Sequence, residues 1–252
     1  MNVVELCLLV VSMYAHDWGM AVSKSERYYI ATHNKKEDSP VINLLDDEFD
    51  RFERFIKTKS DKSVFENDEQ ISIEVWQEYI RDTHALRSGK RVDAYFTAFN
   101  GGFASALDKI CIGHWLEIED ISERNGYYKD TPVLGENVNL IALAIYIRLV
   151  DLFDLAEDRT PYVLWKYVNP QNSYSKMEWE KHRALHQITC PAYGNGRIVC
   201  ISGSTDNHEV YAALMDFKQL CERYFRECSD ALVHMNDSRH ELGEYLIEWR
   251  KE

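Results

Sequence analysis

Apolar residues along this chain recur mostly at intervals of three and four, which places them on one face of an α-helix. From 3 to 16 they run almost all round, predicting a helix buried on every side in a helical core. Ser39-Pro40 closes a polar stretch from Asn34 to Val41 as a turn, and residues 46–57 then space Phe49, Phe52 and Ile56 as a surface helix among charges. Lys57 to Gln70 is charged and reads as a loop. Beyond it, Trp76, Ile80, His84 and Ser88 share one face of a long helix, and after Asn100-Gly101-Gly102 the stripe Phe103, Leu107, Ile110, His114 marks another. A polar segment with Asn125-Gly126, Pro132 and Gly135 leads to a helix from Asn137 to about Asp154, on which Leu140, Ala144, Ile147 and Asp151 align.

The pattern then changes. Ser175 to His186 suits a helix, whereas Gln187–Ala192 and Arg197–Ser202 flank Tyr193-Gly194-Asn195-Gly196 as in a short β-hairpin, with Pro191 on an edge strand. Leu214, Phe217, Leu220, Cys221, Tyr224 and Phe225 mark a closing helix, and a charged tail follows from Asp237. The expected architecture is mainly α: a helical domain over 1–165, an α+β appendage over 166–236 and a charged tail over 237–252.

Composition narrows the function classes. The 252 residues are 45% apolar with 11 Gly and 5 Pro, which excludes disordered and collagenous chains. A formal charge of −13 disfavours phosphate backbones and anionic membrane surfaces as partners. The six cysteines form no CxxC pair, as expected of reduced thiols in a cytoplasmic protein. The apolar run Val3–Ala15 contains Glu5 and has no Lys or Arg before Lys24, so it reads as a core helix rather than a signal peptide or membrane span. No Walker loop, GxGxxG or nucleophile elbow is present, against kinase, dehydrogenase and serine-hydrolase chemistry.

Ionisable residues end several apolar stripes: His84, His114 and Asp151, with His16-Asp17 at the end of the first helix. Such groups are costly at an apolar edge unless paired or bound to metal, so their recurrence on separate helices points to one internal site. Imidazole and carboxylate suit Mn, Fe, Zn, Co, Ni or Mg. Each also has a structural reading: His84 and His114 as hydrogen-bonded core histidines, Asp151 as a helix-terminal acid or a partner of Arg148, and Cys111 as core or as a soft ligand. His182 and His186 lie four apart on the expected helix, as a solvated or metal-binding pair. Arg87, Arg159 and Lys181 are candidates either to clamp a phosphate or to form ordinary salt bridges.

Tyr14-Ala15-His16-Asp17-Trp18-Gly19-Met20 resembles the signature of HD-domain phosphohydrolases, and Arg148 to Asp154 resembles the helix carrying their last aspartate ligand. Arg159-Thr160-Pro161, Thr83 to Ser88, Gly113-His114-Trp115 and Ser175 to His182, with Trp179 and His182, are similar to segments of the derived HD-CE type. The resemblance implies one or two divalent ions held by His16, Asp17, His84, His114 and Asp151, with Asp17 bridging. It implies a catalytic role for Asp17, Arg87 and Lys181, and substrate contacts from Arg87, Arg159, Lys181 and His182. The expected substrate is a phosphate ester or anhydride, nucleotide-like. The family's earlier histidine has no counterpart before His16, so the first ion is expected to take three protein groups, His16, Asp17 and Asp151. The alternative is a catalytically impaired nucleotide or metal sensor that regulates a chaperone-type ATPase.

Overall fold

The computed structural model describes residues 1–33, 47–59, 65, 67–154, 173–190, 192–193, 196–240 and 245–251. The turn at Asn34 to Val41, residues 60–64 and 66 of the 57–70 loop, Arg159-Thr160-Pro161 and the Pro191 and Gly194-Asn195 positions therefore lie outside the described residues. The chain divides into two units, Asn2–Ile147 and Arg148–Glu252 together with Met1, and is mainly α-helical, with a small sheet in its C-terminal part.

In the first unit, α1 (Val3–Ala15) starts at a capping box. Asn2 Oδ1 accepts the Glu5 amide at 2.9 Å and Glu5 Oε2 accepts the Asn2 amide at 2.7 Å, which satisfies two orphan donors reciprocally. Glu5 Oε1 also accepts the Asn139 amide at 3.0 Å, so the buried carboxylate ties α1 to the far end of the unit. Expected to be covered all round, α1 instead buries only Glu5, Leu8, Ser12 and Ala15, while Val3, Leu6, Val10, Met13 and Tyr14 are exposed. With apolar residues on both faces, hydropathy could not tell which face packs; the bond from the Asn139 amide to Glu5 decides it. The stretch Val3–Met20 has a mean hydropathy of 1.3, but α1 has 13 residues. At 1.5 Å per residue, this is about 20 Å against a hydrocarbon layer of about 30 Å.

A short 3-10 turn (Trp18–Met20) leads to α2 (Lys24–Thr32), capped by Ser23 and Glu26 in a second capping box. α3 (Glu48–Lys57) places Phe52 and Ile56 inward, against the start of α4 (Ile73–Phe96), where Phe52 stacks on Trp76 at 4.9 Å and meets Tyr79 edge-on. Tyr29, Ile30 and Ile71 complete this aromatic core. α5 (Gly101–Gly113) buries Phe103, Leu107 and Ile110, as its stripe predicts, and packs along α4. Close approach is needed at Gly89 of α4, where a Cβ would lie 2.1 Å from Asp108 Oδ1.

The polar segment beyond α5 holds a small hairpin, β1 (Thr131–Val133) and β2 (Glu136–Val138), with Val133 opposite Glu136. Its two turn residues, Leu134 and Gly135, both have positive φ, 50° and 83°, the geometry of a two-residue hairpin turn. α6 (Leu140–Phe153) follows, with Leu140, Ala144 and Ile147 buried, and the unit division falls after Ile147.

In the second unit, α7 (Ser173–Ala184) gives way directly to β3 (Leu185–Thr189). His186 is thus on a strand, not four residues along a helix from His182, and the two cannot act as a helical pair. β4 (Ala192–Tyr193) and β5 (Gly196–Gly203) form the expected hairpin, with Tyr193 opposite Gly196. β5 also pairs antiparallel with β3. α8 (His208–Met235) then crosses over to β6 (Tyr245–Lys251), which pairs parallel with β5 from Arg197 to Gly203. The segment read as a charged tail therefore carries a strand. Tyr245, Leu246, Ile247 and Trp249 are strand formers, and parallel pairing requires a long crossover, which α8 supplies.

Candidate metal centre

α1 ends at His16, and the chain turns at Asp17 into the 3-10 turn that packs on α4. Gly19 is the pivot. Its amide donates to the buried Ser88 Oγ at 2.7 Å, and its carbonyl accepts from Arg87 Nε at 3.0 Å. A Cβ at Gly19 would stand 1.9 Å from the His84 carbonyl oxygen, so only glycine lets Asp17 come this close to the His84 turn.

Three imidazoles are oriented by the same device. His16 Nδ1 lies 3.1 Å from the Met13 carbonyl and 3.3 Å from that of Ser12; His84 Nδ1 is hydrogen-bonded to the Arg81 carbonyl, and His114 Nδ1 to that of Cys111. A carbonyl only accepts, so each Nδ1 carries the proton and each Nε2 keeps its lone pair. His16 and His114 are the C-caps of α1 and α5, where helix-end carbonyls lack intrahelical partners. His16, His84 and His114 are all buried, whereas the Asp17 side chain is 41% exposed.

These four residues meet. His84 Nε2 is 2.9 Å from His114 Nε2 and 3.4 Å from Asp17 Oδ1. His16 Nε2 is 3.7 Å from Asp17 Oδ2, and the His16 and His114 rings meet edge to face at 4.9 Å. Ligand atoms of Asp17, His84 and His114 all lie within 4.8 Å of one another. Two nitrogen lone pairs face to face at this distance repel unless a proton or cation sits between them. Ligands about 2.1 Å from a shared ion and 90–110° apart are themselves about 3.0–3.4 Å apart, so the donor set fits a divalent cation in chemistry and in spacing.

The expected phosphate-binding residues have other surroundings. Arg87, expected to bind phosphate, is fully buried. Its guanidinium is committed to Glu48 Oε2 at 3.0 Å, Thr83 Oγ1 at 2.6 Å, the Ile80 carbonyl at 2.7 Å and Gly19. It is a positioning residue, bracing the Asp17 turn against α3 and α4. Glu48 is equally buried and accepts from Tyr79 Oη at 2.7 Å; burial, then the Glu48 carboxylate, raise the Tyr79 hydroxyl well above its ordinary range, so it remains a donor.

Asp151, Lys181 and His182 belong to the second unit. Asp151 is half-buried on the last turn of α6, one helical turn after Arg148, whose guanidinium lies 5.0 Å from the Tyr224 ring. Lys181, expected to bind substrate, turns back on its own helix to Glu178 at 2.9 Å and lies over the Phe217 ring; its charge is already offset there. His182 is half-buried on α7. Arg159 lies outside the described residues. Cys111 is core, because burial pushes its thiol far above the ordinary range and keeps it protonated. The sequence reading put Ser88 on the His84 face without foreseeing its bond to Gly19, and missed Glu48, which locates the site through Arg87, and the helix carbonyls that fix the imidazoles.

A family model for HD-CE matches residues 1–235. The chain belongs to the HD-CE family. No curated protein and no solved structure matches the chain. His16-Asp17 and Gly19 of the HD-CE chain are thus a turn held in place by Ser88 and Arg87 and packed closely on the His84 turn, with the imidazole and carboxylate groups directed to one point.

Proposed function

We propose that this HD-CE protein is a metal-dependent phosphohydrolase of phosphate esters or anhydrides, with a nucleotide as substrate. The observation that carries the reading is the face-to-face placement of His84 and His114 Nε2 beside Asp17. His84, His114 and Asp17 would hold the ion, with His16 beside Asp17 and Asp151 added by family resemblance. When bound, a divalent cation supplies Lewis acidity, which acidifies water and offsets phosphoryl charge. The chain's own part is orientation: the Nδ1–H groups lock the rings, Gly19 and Arg87 fix the Asp17 turn, and the exposed edge of Asp17 leaves the carboxylate open to solvent and substrate. No protein nucleophile is needed.

A second reading, a nucleotide or metal sensor that regulates an ATPase of chaperone type, is favoured by one observation. Arg87 and Lys181, the cations expected to stabilise the transferring phosphoryl group, are committed elsewhere. Both readings place the protein in the cytoplasm. Purified full-length protein assayed with Mn, Co, Ni or Mg against a nucleotide panel separates them. Metal-dependent phosphate release that is lost in Asp17→Ala supports the enzyme; stoichiometric metal with nucleotide binding but no turnover supports the sensor.

A further inference from the structure

A groove of about 700 Å³ opens in the first unit beside the Asp17 turn, its lining including Trp18, Ala21, Val22, Glu26, Arg91 and Tyr95. Trp18 directly follows Asp17, so the groove begins one residue from the candidate metal centre. Two of its walls are aromatic and open: Trp18 is 38% and Tyr95 66% exposed, their rings meeting edge to face at 5.9 Å. Exposed Trp and Tyr on a concave surface are costly to solvate and suited to stacking a flat ring.

The polar part of the groove discriminates among ligands. Arg91 Nη1 donates to the Ala21 carbonyl at 2.8 Å and also to that of Trp18, while Nη2 pairs with Glu26. The guanidinium charge is thus neutralised by Glu26, and the groove presents no net cation to a phosphate. An anion is drawn to the metal centre and a neutral heterocycle to the groove, and the Asp17–Trp18 step links the two.

We infer that the Trp18–Tyr95 groove is the base subsite for a nucleoside monophosphate whose phosphate faces Asp17, His84 and His114. The inference rests on the phosphohydrolase or sensor reading for the phosphate end, and on the groove alone for the base. Tyr95 supplies an exposed stacking face, Trp18 the second aromatic wall, and Arg91 holds the 18–21 backbone that carries Trp18.

The test uses the full chain loaded with Mn²⁺ and measures binding of adenosine 5′-monophosphate, ribose 5-phosphate, inorganic phosphate and adenosine. Stacking predicts that adenosine 5′-monophosphate binds about tenfold more tightly than ribose 5-phosphate. Tyr95→Ala, a substitution at the surface, should remove that difference without changing ribose 5-phosphate binding, and Tyr95→Phe should retain it. Equal affinity for the two phosphates, or a Tyr95→Ala effect of the same size on both, overturns the base subsite while leaving the phosphate site standing. If neither phosphate binds in a metal-dependent way, the functional reading has failed. Adenosine then decides the groove: saturable binding lost in Tyr95→Ala upholds it, and no binding overturns it.

Discussion

Two polar clusters sit within one turn of each other on α4, and they are built on opposite principles. Around Arg87, every charge is answered: Glu48, Thr83, the Ile80 carbonyl and the Gly19 carbonyl take up the guanidinium, and Glu48 in turn receives Tyr79 and Arg51. Around His84, the donors are turned away into helix carbonyls, and the acceptors of His84, His114 and Asp17 are directed at one another. A buried network that closes on itself holds structure in place. One that gathers only acceptors is arranged for a cation from outside. The comparison also shows what engages an arginine so near the HD motif: it braces the turn that carries Asp17.

The closed cluster should dominate stability. Arg87→Met would leave Glu48 buried without its main counter-ion, and urea unfolding should show a loss of about 3–5 kcal/mol. Replacing both Glu48 and Arg87 by Met should recover most of it, since the pair itself contributes little net free energy; a double variant no better than Arg87→Met would break the account of this cluster.

Gly19→Ala strikes the joint between the clusters. A Cβ 1.9 Å from the His84 carbonyl forces the Asp17 turn outward, with an expected cost of about 1–3 kcal/mol in a urea melt and a larger proportional loss of metal affinity. Unchanged metal affinity would separate the turn from the site.

A smaller effect concerns Asp108, beside Gly89, whose carboxyl is raised to about 6, first by burial and then by Asp93. The folded state holds this proton more tightly than the unfolded state, whose value is near 3.8, so stability falls as pH rises between about 4 and 6 and stays lower above that. Asp108→Asn should flatten this slope and raise stability at pH 7 by up to about 3 kcal/mol, read from urea midpoints across pH. The smallest effect is expected at Lys181, where loss of the partly exposed pair with Glu178 in Lys181→Ala should change stability by less than about 1 kcal/mol and leave phosphate binding unaltered.

Much of this was legible in the chain. The stripes ending at His84 and His114 and the His16-Asp17 step identified the residues that the structure gathers, because helical periodicity reports which side chains share a face. The capping boxes at Asn2/Glu5 and Ser23/Glu26 are local signals that would have placed the helix at Lys24–Thr32 and explained the buried Glu5. What could not be read is non-local. Glu48 meets Arg87 across 39 residues, and no spacing rule distinguishes an arginine that braces a turn from one that binds phosphate. β6 was hidden because Tyr245 to Lys251 mixes strand formers with charges and gains order only against β5, across the α8 crossover.

The central claim is that His84, His114 and Asp17 are arranged for a cation, and equilibrium dialysis of the full-length protein against Co²⁺ tests it most directly. Wild type and Lys181→Ala should take up Co²⁺ stoichiometrically, while His84→Ala and Asp17→Ala, with helical circular dichroism preserved, should bind more than about 100-fold more weakly, beyond the loss expected for an outer-shell change. Equal uptake by all four proteins, or none by the wild type, would contradict the account.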